Sequence, residues 1–134
     1  AMNDDELEIR ELIDGWLRAI RAHDLEGVVA GHSDDIVMFD VPPPEDGARG
    51  IDAYSATWPT FLEWLASGAV FDAVAVEVFA GGGDFAYAHA LLRCGTPERL
   101  AAEPDRRLRL TLGLRREDGR WLVAHEHHSF TAQG

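Results

Sequence analysis

The first stretch of the chain alternates apolar and polar residues with the period of a helix. Between residues 4 and 22 the apolar side chains recur at helical spacing, at Leu7, Ile9, Leu12, Ile13, Trp16, Leu17 and Ile20. Acidic residues come just before them, at Asp4, Asp5 and Glu6, and suit the N-terminus of a helix. The pattern predicts a long amphipathic helix with one buried face.

Two further helices are predicted before the sheet. The segment HDLEGVVAGHSDD predicts a short second helix that Gly31 can end. In IDAYSATWPTFLEWLASG, large apolar residues again recur at helical spacing, at Tyr54, Trp58, Phe61 and Leu65. This spacing predicts a third helix, which Pro59 either bends or restarts from a first-turn position.

The remaining apolar segments have the character of β-strands. IVMFD is rich in β-forming residues and stops at the proline-rich loop VPPPEDGARG. Four longer strands are predicted near residues 70–80, 85–94, 108–115 and 121–130, and Asp118 and Gly119 between the last two are a strong hairpin signal. Helices followed by an antiparallel meander, with the early strand at an edge, predict an α+β domain whose helices cover one face of the sheet.

Length, charge and cysteine content narrow the class of protein. A chain of 134 residues predicts a single domain over residues 1–134. The net charge of -12, with no lysine, opposes binding to phosphate groups, so we expect neither nucleic acid nor a membrane as partner. Cys94 is the only cysteine and can form no internal disulfide. We expect a buried thiol and a cytoplasmic location.

Two segments resemble parts of a known family. LRAIRAHDLEGVVAGHSDDIVMFD resembles the opening, and RLTLGLRREDGRWLVAHEHHS the closing hairpin, of the nuclear transport factor 2-like superfamily, with its SnoaL-like and ketosteroid isomerase-like members. The resemblance covers nearly the full chain. It implies a cystatin-like cone of three N-terminal helices on a curved, mostly antiparallel sheet, with a hydrophobic pocket inside and a homodimer through the outer sheet face. Because this fold hosts isomerases, cyclases, dehydratases, hydrolases and association domains, it does not fix the function.

Asp40 is the main catalytic candidate. The resemblance places it where ketosteroid isomerase-like members keep their general base, at the end of IVMFD. A carboxylate there can take a proton from carbon next to a carbonyl and return it elsewhere. The alternative is that its side chain caps the turn into the proline-rich loop. The family's oxyanion hole is not retained, because Trp16 replaces its tyrosine and Thr111 or Leu112 replaces its acid.

A second set of polar candidates lies in FAYAHALLR. The family pattern turns Tyr87, His89, Leu91 and Arg93 into the pocket and leaves the alanines on the outer face. His89 is then expected beside Asp40 as an acid or tautomer holder, and Arg93 as an anion clamp. The alternatives are a hydrogen-bonded interior His89 and an Arg93 paired with an acidic rim.

The aromatic residues of the helices have two interpretations. Trp16, Tyr54, Trp58 and Phe61 lie at helical spacing, which is typical of a packed core. The resemblance implies instead that some of them bind substrate as pocket walls, because these helices roof the cavity in this fold. Both interpretations stay open.

The C-terminal segment WLVAHEHHSF raises the question of a metal site. Strand alternation sends His125 and His127 to one face and Glu126 and His128 to the other. The resemblance implies that Glu126 and His128 face the pocket and contact substrate. Because two histidines on one face are too few for a zinc site, we expect no metal, and no other cofactor.

Two predictions concern the surface. The resemblance places Trp121 and Val123 on the outer, dimer-forming face of the sheet. His32, beside a strand entrance, and His23, near a helix end, are expected to be surface or capping residues.

The residues favour a domain that binds a small hydrophobic molecule, with isomerase, cyclase or dehydratase chemistry based on Asp40 and His89. The alternative is a non-catalytic ligand-binding or association domain of the same fold. The volume of the cavity helps to distinguish these functions, because ligand pockets commonly enclose roughly 300 to 1,000 Å³ and a packed interior favours an association domain.

Overall fold

A computed structural model describes residues 2–132, in which the helices and strands follow one another as predicted for an α+β protein. The helices are α1 (Asp4–Arg21), α2 (Leu25–Val29), α3 (Ile51–Ala56), α4 (Trp58–Ala66) and α5 (Pro97–Ala102). The strands are β1 (His32–Phe39), β2 (Ala48–Arg49), β3 (Val70–Ala80), β4 (Phe85–Gly95), β5 (Leu108–Glu117) and β6 (Arg120–Ser129). Within the described range, no helix combines the length and apolar character that a membrane crossing requires.

Helix α1 forms where the periodicity predicts it. Asn3 and Glu6 make a capping box at its N-terminus, in which each side chain accepts a hydrogen bond from the other residue's backbone N–H. The buried face consists of Ile9, Ile13, Trp16, Leu17, Ala19 and Ile20. On the flank of the helix, Nη1 of Arg10 donates to the carbonyl oxygen of Val76 at 2.7 Å, which ties α1 to strand β3.

The third predicted helix is divided into α3 and α4. Helix α3 ends at Ala56, and α4 begins at Trp58 with Pro59 in its first turn. A proline suits that position because the first N–H groups of a helix have no intrahelical partner. The interpretation of Pro59 as a restart is therefore confirmed. Helix α5 and the short strand β2 were not predicted, because both lie in segments that have the composition of loops.

The sheet has the strand order β2-β1-β6-β5-β4-β3. Strands β3 to β6 form the predicted antiparallel meander, and β1 pairs with β6 in parallel. The turn between β5 and β6 contains Asp118 and Gly119, with φ of 51° and 78°. Positive φ at both positions is what a two-residue hairpin turn with the right twist requires, so the hairpin prediction is confirmed.

The helices cover the sheet face on which β5 places its leucines. Leu108, Leu110, Leu112 and Leu114 are all buried. The residues opposite them on β4 are Leu92, Ala90, Ala88 and Ala86. The prediction that β4 turns Tyr87, His89, Leu91 and Arg93 inward is therefore wrong. Alanines occupy the covered face because small side chains beside the leucines leave room for the helices to pack closely.

Strand β6 contains a bulge. Its pairing with β5 shifts between Gly113 and Leu114, which leaves Ala124 as an extra residue. The bulge brings Trp121 and Val123 to the covered face, where both are 3% exposed. Their predicted place on the outer face is wrong, because the alternation rule assumes an unbroken strand.

Candidate functional site

A cavity of about 800 Å³ lies between α4, the segment after β1, the connection from β4 to β5, and the end of β6. Its walls are mostly apolar and include Trp58, Phe61, Trp64, Phe71, Leu108 and Phe130. The charged or titratable groups on the wall are Asp40, Cys94, Arg99, Arg106 and His128. A largely apolar cavity of this size with a few polar groups is typical of small-molecule sites.

The four aromatic candidates divide into two pairs. Trp58 and Phe61 line the cavity and meet edge to face, with ring centroids 5.5 Å apart. Trp16 lies behind Trp58, with centroids 5.9 Å apart, and belongs to the core. Tyr54 is also behind the wall and is fully buried. The predicted wall position is therefore found for Trp58 and Phe61 but not for Trp16 and Tyr54.

Glu126 is fully buried and is the centre of a polar network. Its Oε1 lies 2.9 Å from Nε2 of His128. Its Oε2 lies 2.7 Å from Nε2 of His32 and accepts a hydrogen bond from the Tyr54 hydroxyl at 2.7 Å. A buried carboxylate is costly without donors, and these three side chains supply them.

The network changes the acidity of its members. Burial by itself raises the pKa of Glu126, but hydrogen bonds from His128 and His32 lower it to about 2. Burial, followed by the negative charge of Glu126, raises the pKa of Tyr54 well above its usual value. Glu126 is therefore an anion and Tyr54 a neutral hydrogen-bond donor.

The indole groups of Trp16 and Trp58 also lie near this hydroxyl. Both indole nitrogens are buried, and neither reaches an acceptor with hydrogen-bond geometry within residues 2–132. Their N–H dipoles nevertheless oppose the rise in the pKa of Tyr54.

His128 connects the network to the cavity. Because the Glu126 carboxylate can only accept, Nε2 of His128 carries a hydrogen, and the ring's other nitrogen is free to exchange a proton. That nitrogen, Nδ1, lies 4.0 Å from Oδ1 of Asp40. Burial by itself lowers the pKa of His128, but the hydrogen bond and charge of Glu126, with the charge of Asp40, raise it above its usual value.

Asp40 directly follows β1 and borders the cavity. Its side chain is 32% exposed, so it remains accessible to water and to a ligand. Its Oδ1 also accepts a hydrogen bond from the backbone N–H of Val41 at 2.8 Å. Asp40 thus caps the turn after β1, as the alternative interpretation predicted. It also lies on the cavity wall, where a ligand can reach its carboxylate.

His89 and Arg93 do not reach the cavity. Both lie on the outer face of β4, where the His89 ring packs 5.5 Å from that of Phe79. Nη1 of Arg93 donates to the carbonyl oxygen of Pro104 at 3.4 Å. His89 is therefore not a catalytic partner beside Asp40, and Arg93 is not an anion clamp in the pocket. Both predictions are wrong about position, because β4 turns its alanines inward.

Neither residue predicted for the family's acid position lines the cavity. Leu112 is buried on the covered face, whereas Thr111 is exposed on the outer face. The leucine side chain has no hydrogen-bond donor, and the Thr111 hydroxyl lies on the face away from the cavity. The donors on the cavity wall therefore come from other positions.

The sequence patterns missed His32, Arg106 and the cavity position of Cys94. His32 was expected at the surface or in a cap but is buried against Glu126, because β1 runs parallel to β6 and begins beside it. Arg106 lies in the connection between α5 and β5, where no periodic signal marks a residue. Cys94 is buried as predicted, and burial raises the pKa of its thiol to about 11.

The clustered histidines of β6 are divided between the two faces, and His125 and His127 both pack against Phe39 on the outer one. Nδ1 of His125 lies 2.6 Å from the carbonyl oxygen of Val37. Among residues 2–132, no group of three or more His, Cys, Asp or Glu side chains has a geometry that can hold a metal ion.

Helices on one face of a six-stranded, mostly antiparallel sheet, with a mostly apolar cavity between them, give the fold of the nuclear transport factor 2-like class. Residues 9–133 match the family model of the SnoaL-like domain, so the chain belongs to the SnoaL-like domain family. No curated protein matches the chain.

Solved structures agree with this assignment. A nuclear transport factor 2-like protein of unknown function from Pseudomonas putida is 39% identical, with a TM-score of 0.82 over 96% of this chain and 89% of that one. A ketosteroid isomerase-like protein from Erwinia carotovora is 18% identical, with a TM-score of 0.68 over 98% of this chain and 100% of that one. A nuclear transport factor 2-like protein with a cystatin-like fold from Novosphingobium aromaticivorans is 20% identical, with a TM-score of 0.74 over 98% and 84%. The last two similarities concern the fold alone.

Proposed function

We propose that this SnoaL-like domain binds a small hydrophobic molecule in the cavity and moves a proton at a carbon next to a carbonyl group. The reaction class is that of an isomerase, cyclase or dehydratase. The observation that carries the proposal is the position of His128, which is held by the buried Glu126 and directs Nδ1 towards Asp40 at the cavity wall.

Asp40 and His128 have complementary roles in this proposal. The Asp40 carboxylate takes a proton from the carbon, and the electron pair of that C–H bond moves into an enolate. Protonated His128 donates a hydrogen bond from Nδ1 to the enolate oxygen. In an isomerisation Asp40 then returns the proton to another carbon, so that neither residue is consumed.

Glu126 supports His128 in two ways. Its carboxylate fixes the orientation of the ring, and its negative charge stabilises the imidazolium form. His32 and Tyr54 occupy the other oxygen and keep the carboxylate from turning. Held in this way, His128 supplies the donor next to the substrate oxygen that the side chain of Leu112 cannot supply.

A non-catalytic ligand-binding or association domain is the alternative. The volume of about 800 Å³ argues against an interior that is merely filled by aromatic side chains. The cytosol remains the proposed location, since the free thiol of Cys94 is compatible with reducing conditions.

The experiment that tests the proposal uses 2-tetralone, an apolar bicyclic ketone with acidic C–H bonds. The protein is incubated with it in D₂O, and loss of the C1 proton signal is followed by NMR. We expect exchange above the buffer rate for the wild type and a large loss for both Asp40→Asn and His128→Gln. Binding of the ketone without faster exchange favours the non-catalytic alternative.

A further inference from the structure

Arg106 is a cation on the cavity wall that forms no ion pair with a carboxylate side chain of residues 2–132. Its guanidinium carbon lies 4.0 Å from the ring centroid of Phe130, which also borders the cavity. Its Nη1 is buried and has no hydrogen-bond partner within residues 2–132. A buried N–H group without an acceptor is costly, so the guanidinium has binding capacity that the described residues leave unused.

The other arginine of the wall is different. Nε of Arg99 lies 2.7 Å from Oε2 of Glu103, so its charge is balanced by an ion pair. Elsewhere in the described chain, Arg115 and Arg116 also pair with carboxylates. Of the two arginines on the wall, Arg106 is therefore the one whose charge is available to a negative ligand group.

We propose that Arg106 binds the carboxylate of an apolar acid whose hydrocarbon part fills the cavity. A guanidinium presents parallel N–H groups that match the two oxygens of a carboxylate, and this geometry favours it over a neutral amide. The face of Phe130 fixes the plane of the guanidinium and reduces the freedom that binding must remove.

The charges on the wall give such a ligand a direction. Asp40 and Arg106 both act on the thiol of Cys94, with opposite effects on its pKa. Asp40 has an ion-pair contact with His128, and no ion pair joins it to Arg106. The charge of His128 is already offset by the carboxylates of Glu126 and Asp40 on either side of its ring. A ligand carboxylate is therefore attracted to Arg106 and repelled by Asp40, so the uncharged part of the ligand is directed towards Asp40 and His128.

This inference rests on the proposed function only in that both use the same cavity. It does not require proton transfer. It specifies the substrate class as an apolar molecule that carries a carboxylate in addition to its reactive carbonyl.

The experiment compares 2-naphthoate with 2-naphthamide, which has a similar shape and no charge, by isothermal titration calorimetry. We expect the wild type to bind the acid at least about tenfold more tightly than the amide, since charge-assisted pairs are roughly twice as strong as neutral ones. Arg106→Gln should bring the two affinities within about twofold and leave the amide unchanged, because only the charged contact is removed. Arg120→Gln, which removes the same charge from an exposed position away from the cavity, is the matched control and should keep the preference.

The affinities of the wild type for the acid and the amide already test the inference, even if Arg106→Gln folds poorly. Equal affinities for acid and amide overturn the inference, as does a preference that survives Arg106→Gln, or an absence of binding by both probes. Arg106→Lys should retain part of the preference, because the charge remains while the paired N–H geometry is lost. If the acid preference is found but 2-tetralone does not exchange, the carboxylate site stands and the proposed proton transfer fails.

Discussion

Nε2 of His128 lies 2.9 Å from Oε1 of Glu126, and both side chains are buried. The contact joins the carboxylate, which is cut off from water, to an imidazole that borders the cavity. His128 is therefore both oriented and electrostatically stabilised as a cation. This pair, together with Asp40, makes the cavity a candidate for acid–base chemistry.

Replacing Glu126 with glutamine tests the pair directly. Glu126→Gln removes the negative charge, so the pKa of His128 should fall, and one of the donors that now face Glu126 should lose its acceptor. We expect the free energy of unfolding, measured with urea, to fall by about 1 to 3 kcal/mol, the usual cost of an unsatisfied buried group. NMR titration of the His128 ring measures the first effect. Glu63→Gln, on the exposed side of α4, is the control and should change neither quantity.

The pH dependence of stability follows from the directions of the two shifts. The pKa of Glu126 is lowered from 4.5 to about 2, so its contribution is complete above 4.5 and is lost as the pH falls towards 2. The pKa of His128 is raised above 6.5, so its contribution is complete below 6.5 and is lost as the pH rises through the raised value. We expect greatest stability between these limits.

Urea unfolding at a series of pH values checks this dependence. Both shifts depend in part on the contact between Glu126 and His128, so their contributions are not independent and should not be added. His32 and Tyr54 also contact Glu126, and Asp40 faces His128, so the comparison needs a variant that removes the central charge. Glu126→Gln should flatten both arms of the profile. An unchanged profile in that variant would assign the pH dependence to other groups.

Asp40 offers a matched pair of substitutions. Asn retains an oxygen that can accept the hydrogen bond from the N–H of Val41, whereas Ala removes both the cap and the base. Asp40→Asn should therefore keep the melting temperature close to that of the wild type and lower exchange into 2-tetralone by at least about 10², the low end for general base catalysis. Asp40→Ala should lower both. Full exchange activity in Asp40→Asn would reduce Asp40 to a turn cap.

Most of the fold is readable from the sequence because periodicity reports which side chains are buried. The long helix α1 and the hairpin at Asp118 and Gly119 are determined by local patterns, and both were predicted. The face of β4 was not, since the 12-residue connection to β5, which contains α5, leaves their register open. The alternating leucines of β5 identify its inward face. Without the register between the two strands, they do not determine which residues of β4 lie on that face.

The site was predicted only where alternation was unbroken. Alternation placed Glu126 and His128 on one face, and it holds for them because both follow the bulge at Ala124. The family resemblance implied that this face is the inward one and that both residues contact substrate. His128 borders the cavity, but Glu126 lies behind the wall, so its predicted place in the pocket lining is wrong. The position of His32 depends on the parallel pairing of β1 with β6, a long-range contact with no local signal. Arg106 is brought to the wall by an irregular connection, and only the three-dimensional structure identifies it.

Dimerisation through the outer sheet face remains a prediction, but its contact residues cannot be Trp121 and Val123, which are buried on the covered face. On the outer sheet face, Phe79 and Tyr87 stack with centroids 4.9 Å apart and are 38% and 50% exposed. Phe85 beside them is 75% exposed. Exposed apolar patches of this kind usually have a partner, and a second copy offers the same patch across a two-fold axis. We expect a homodimer at micromolar concentration.

Sedimentation velocity over a range of concentrations measures this directly. Tyr87→Arg should yield a folded monomer, because it places a charge in the contact without disturbing the core. Trp121→Arg is the informative contrast: Trp121 is only 3% exposed, so a charge there should unfold the protein rather than dissociate a dimer. Circular dichroism separates the two outcomes. A wild type that sediments as a monomer at every concentration would leave the aromatic patch without a self-association role.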